Sequence, residues 1–118
     1  MMKPATRENL ERLILRIDAM LAGMHAGIGK QPDYFNSEAT PGSDRREAYW
    51  AWDKQRKAAL DHISLTLEAE ESARFSKISD SDQVVIAGVR SSCTSGLEGL
   101  FRNWQNAARR RIEKETPA

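Results

Sequence analysis

A single cysteine, Cys93, among 118 residues excludes an intramolecular disulfide, and the opening residues Met1 to Glu8 hold no apolar run of the kind a signal peptide needs. A reducing cytoplasm is the expected setting. No stretch approaches the ~20 consecutive apolar residues of a membrane-crossing helix, so no membrane partner is expected. Charge of one sign is also lacking: 18 Lys and Arg against 17 Asp and Glu leave +1. That balance gives no global attraction for polyanions and no self-repulsion of the acidic, disordered type. Valine is scarce, with three residues, and threonine numbers five, whereas alanine numbers fifteen. Alanine loses no side-chain entropy in a helix and strands favour β-branched residues, so the composition predicts an all-α chain.

The apolar residues that are present repeat at helical spacing. Leu10, Leu13, Ile14, Ile17, Leu21 and Met24 define one face of a first helix, with Thr6 as its cap and charged residues such as Glu8, Glu11, Arg12 and Arg16 on the other side. Residues 25–43 carry Gly27, Gly29, Pro32, Asn36, Pro41 and Gly42, too many breakers for regular structure, and read as a long ordered loop bearing Tyr34 and Phe35. Asp44 with Glu47 opens a second helix, whose stripe of Tyr49, Trp52, Arg56, Ala59, Leu60, Ile63 and Leu67 keeps phase through Glu71, Arg74, Phe75 and Ile78. Ser79-Asp80-Ser81 punctuates the chain before a third stripe from Ile86 through Val89, Cys93, Leu97, Phe101 and Trp104 to Ile112. The reading is three helices, at 6–24, 44–76 and 80–114, in one domain, the last two forming a long antiparallel hairpin. So thin a hairpin buries little apolar surface alone, and a homodimeric bundle is expected to complete it.

Residues with chemical potential are few. His25 and His62 have no His or Cys at a metal-ligand interval, so no metal or other cofactor is expected. Cys93 lies among small hydroxyl residues, as a nucleophile would, but falls on the apolar stripe with no base nearby in sequence; no catalytic residue and no enzymatic activity are expected. Ala87-Gly88-Val89-Arg90 resembles the turn of a helix-turn-helix motif, within a segment 82–101 whose second helix would carry Gly96 and Gly99. Basic charge gathers at Arg102, Arg109, Arg110 and Arg111, and 99–112 contains no acid; Glu68, Glu70 and Glu71 form an acidic counterpart. A nucleic-acid-binding face would then comprise Arg90, Arg109, Arg110 and Arg111.

The most unusual local sequence is Tyr49-Trp50-Ala51-Trp52. Tyr49 and Trp52 fit the stripe, whereas Trp50 falls outside it, in reach of Arg46 and Lys54, and needs cover from the Tyr34-Phe35 loop, a second copy or another protein. The leading expectation is a small non-enzymatic regulator, inhibitor or adaptor that binds another protein through Trp50, Arg46, Lys54, Tyr34 and Phe35. The alternative is a DNA-binding regulator using segment 82–101 and the arginine run.

Overall fold

A computed structural model describes residues 5–29 and 42–115, with side chains at 5–29 and 46–114. Three helices, α1 (Arg7–Ile28), α2 (Gly42–Glu71) and α3 (Leu97–Glu115), accompany a three-stranded sheet of β1 (Arg74–Ile78), β2 (Ser81–Ile86) and β3 (Val89–Cys93). The fold is therefore mixed, and the expected all-α helical bundle is wrong across 74–93, where the tail of the second helix and the front of the third are strands. No helix among the described residues is long and apolar enough to cross a membrane.

Local chemistry explains the switch. Ser72 takes φ 56°, which ends α2, and the Ala73 amide turns back to donate to the Leu67 carbonyl at 3.1 Å. All three valines of the chain then fall in the sheet: Val84 and Val85 precede Ile86 in β2, and Val89 opens β3. Their branched side chains suit a pleated surface. The sheet is an antiparallel meander in the order β1-β2-β3. Two-residue turns join its strands, Ser79-Asp80 after β1 and Ala87-Gly88 after β2. Ala87 at φ 51° and Gly88 at φ 77° supply the paired left-handed residues of a type I′ turn. The segment that resembled a helix-turn-helix is thus a β-hairpin, and α3 begins only after Gly96.

The expected first helix is present and runs to Ile28, where Gly29 at φ 76° closes it; Thr6 Oγ1 accepts from the Asn9 amide at 3.2 Å at its start. Four residues of the expected loop, 25–28, are helical, and α2 starts at Gly42. One apolar core joins Leu10, Leu13, Ile17 and Leu21 of α1, Leu60, Ile63 and Leu67 of α2, Val84, Ile86 and Val89 of the sheet, and Phe101, Trp104 and Ala108 of α3. α3 lies between the inner sheet face and α1, and α2 packs along α1. The amino-terminal half of α2 stays outside this core: Tyr49 and Trp52 are half-buried, and the buried stripe starts at Leu60. The shortage of cover that suggested pairing of chains is met in part by the sheet.

Polar contacts fix these layers. The indole of Trp104, fully buried, donates to the carbonyls of Val89 at 3.1 Å and Ile86 at 3.3 Å, the residues flanking the Ala87-Gly88 turn. Glu71, only 1% exposed, receives both guanidinium nitrogens of Arg12, at 2.7 and 2.8 Å, and a third bond from Arg16, which also reaches Glu70. A carboxylate so buried is tolerable only with such partners. Gln105, also buried, donates to the Ile14 carbonyl at 2.9 Å and to Asp18 at 2.8 Å, and Arg102 pairs with Asp18 at 2.8 Å. The bond from Gln105, joined by Arg102, pulls the Asp18 carboxyl below its ordinary range.

Cys93 is half-buried on the inner face of β3, against the core, and a Cβ at Gly99 would come within 2.8 Å of its Sγ. Any side chain at 99, in the first turn of α3, would thus have to displace the Cys93 thiol. Gly99→Ala should lower stability by about 1–3 kcal/mol despite alanine's better helix propensity. In denaturant titrations, adding Cys93→Ala should recover most of that loss; an additive double variant would disprove the clash. Asp18 supplies a second test. Because its folded pKa is depressed, its share of stability is present above the ordinary carboxylate pKa and lost as pH falls through the folded value. Asp18→Asn should therefore flatten the acid limb of the stability profile, and an unchanged limb would count against the Asp18–Gln105 seam.

Candidate nucleic-acid interface

The β2-β3 turn, clamped by Trp104, places β3 beside the carboxyl-terminal half of α3. Arg90 is the second residue of β3, and alternation turns it outward while Val89 and Ser91 are buried inward. On α3, Asn103, Ala107, Arg110 and Lys114 recur at intervals of three and four, which stacks them along one side of the helix. Two adjoining clefts lie between these elements. One, of about 300 Å³, is lined by Arg90, Ser92, Asn103, Asn106 and Arg110 among others; the second, of about 330 Å³, by Gly88, Arg90, Arg110, Arg111 and Lys114. Arg90, Ala107 and Arg110 border both, and among the described residues neither is lined by a carboxylate. Asn103 donates to the Ser92 carbonyl at 2.9 Å and so fixes the floor of the first.

The structure therefore brings Arg90 together with Arg110 and Arg111, residues about twenty apart in sequence, and adds Lys114, Asn103 and Asn106 to them. Arg109 is excluded. It faces the other side of α3, donating to Asn106 Oδ1 at 3.2 Å and lining a cleft with Glu11, Asp18 and Glu113. Arg102 is committed to Asp18. Of the acids expected to counterbalance the run, Glu70 and Glu71 are bound by Arg12 and Arg16 of α1, and Glu68 is exposed.

Arg46, Trp50 and Lys54 are exposed on the amino-terminal half of α2, apart from this basic cluster, and Trp50 is 61% exposed. Tyr34 and Phe35 lie outside the described residues. Near Trp50, a wider polar cleft of about 680 Å³ is lined by His25, Trp52, Asp53, Arg56 and Glu98 among others. There Glu98 sits 3.2 Å from Arg56 and 3.4 Å from His25, so His25 belongs to the last turn of α1 and has a carboxylate partner that sequence reasoning missed. His62 is exposed on α2. No group of three or more His, Cys, Asp or Glu that could hold a metal occurs among the described residues.

No family model matches the chain, and no curated protein or solved structure matches it. What the arrangement can do must be argued from its own chemistry. Guanidinium and amide donors converging on an open cleft without acids suit an anionic oxygen-rich ligand, because planar Arg forks pair bidentately with phosphate.

Proposed function

We propose that this protein is a non-enzymatic nucleic-acid-binding module, whose phosphate contacts come from Arg90, Arg110, Arg111 and Lys114. The observation that carries the reading is the pair of adjoining clefts sharing Arg90 and Arg110 and lined, among the described residues, by no carboxylate. Near-zero net charge is compatible with it, because three of the 17 acids, Glu70, Glu71 and Asp18, are paired away from the clefts, with Arg12, Arg16 and Arg102. A steering field depends on where charge lies, not on its sum. The single cysteine fits a role in the cytoplasm.

Duplex DNA of random sequence should bind at low salt, with log affinity falling linearly against log salt by about 0.9 for each phosphate neutralised. Arg110→Ala should weaken binding to unrelated duplexes alike and reduce the slope by about one. Arg109→Ala should change neither by as much. A wild-type affinity indifferent to salt, or no duplex binding at low salt, would contradict the proposal.

One observation favours a second reading, in which the amino-terminal half of α2 docks another protein. Trp50 is 61% exposed and Arg46 and Lys54 are exposed near it, and Trp with Arg is the pairing enriched in interface hot spots. On this reading Trp50→Ala leaves the thermal midpoint unchanged, whereas Leu60→Ala, in the core, costs about 2–5 kcal/mol. Comparable losses in calorimetry would assign Trp50 to the fold and not to a partner.

A further inference from the structure

The helix α3 covers one face of the sheet and leaves the other open. Registered residues give that outer face two cross-strand rows, Arg74–Val85–Arg90 and Ser76–Gln83–Ser92, with the pair Ile78–Ser81 beyond them. The members on β1 and β3 are exposed, and Val85 and Gln83 on the central strand are partly so. The rows contain two guanidiniums, an amide and two hydroxyls, with no carboxylate and no aromatic ring. Asp82 and Phe75 fall on the inner face by alternation.

Resting on the nucleic-acid reading above, the geometry points to the outer sheet face as the surface that enters the major groove of duplex DNA and reads base edges there. Arg90 belongs to both this face and the basic clefts, so a strand of phosphates running along the β3 edge past Arg110 and Arg111 leaves the sheet facing the groove beside it. Three strands spaced ~4.8 Å apart span about 10 Å between outer axes, so over an opening of roughly 12 Å that admits two strands the central β2 faces the groove and β1 and β3 lie against its walls. The side chains suit the groove as well. Gln pairs bidentately with adenine and Arg with guanine, whereas Ser donates to either. A single strand is the poorer match, because such ligands are held by base stacking on aromatic rings and this face has none. An RNA duplex is poorer too, since its major groove is too narrow for side chains to read.

The test selects sites for the full chain from random duplex DNA, then measures fluorescence anisotropy on the selected and a scrambled duplex. The wild type should prefer the selected duplex by about tenfold or more. Gln83→Ala and Arg74→Ala should each lower that preference severalfold, and the uncharged substitution Gln83→Ala should leave affinity and salt slope on the scrambled duplex unchanged. Gln83→Ser provides a second substitution should the alanine variant prove unstable by its thermal midpoint. Methyl green, which occupies the major groove, should displace the protein, and netropsin, which occupies the minor groove, should not. Enrichment of no sequence, a preference that survives all these substitutions, or displacement by netropsin alone would overturn the sheet assignment and leave phosphate binding standing. Absence of binding to any duplex at low salt would overturn both.

Discussion

The bond pair from the Trp104 indole to the Ile86 and Val89 carbonyls is the constraint on which the functional geometry depends. Those carbonyls belong to the two registered residues that flank the type I′ turn, and each carbonyl oxygen has a second lone pair to offer. Trp104 supplies one N–H to both and fills the inner sheet face with its ring. With the turn pinned against α3, β3 runs from beside Arg110 and Lys114 back toward Asn103 and Gly99, and Arg90 borders the same clefts as Arg110. The same side chain thus couples core packing to the placement of surface charge.

A second device holds two acids away from that charge. The acidic end of α2 is held by α1, through the bidentate Arg12–Glu71 pair and the bridge of Arg16 to Glu70 and Glu71. Breaking a buried pair by removing one partner costs about 3–5 kcal/mol. Glu70 and Glu71 are therefore kept at the α1–α2 junction, while Arg90, Arg110 and Lys114 border clefts lined, among the described residues, by no carboxylate. Local charge separation arises in a chain whose total charge is +1.

How much was legible in the sequence follows from these particulars. The first helix, its Thr6 cap and its stripe from Leu10 to Met24 were, because periodicity, cap and breaker agreed. The core half of α2, from Leu60 to Leu67, was equally plain. The sheet was missed because composition was averaged over the whole chain: three valines are few, but all lie within six residues, 84 to 89, around an Ala-Gly turn. Ser72, a non-glycine residue in left-handed conformation, gave no breaker signal, so the helical phase carried on falsely to Ile78. Of the basic residues, Arg90, Arg110 and Arg111 could be named as candidates. That Arg109 diverges from them is set by rotation about α3, and that Lys114 and Gln83 belong with them is set by packing and strand register. The hairpin that joins these residues was the piece the sequence concealed.

The central claim is that one surface, formed by β3, the outer sheet face and late α3, contacts nucleic acid. Titrating duplex DNA into isotope-labelled protein and following backbone amide chemical shifts tests it most directly. The account predicts perturbations concentrated at Arg90, Ser92, Gln83, Arg110 and Arg111, with residues 46–54 of α2 unmoved. Shifts confined to 46–54, or spread evenly over the molecule, would contradict it.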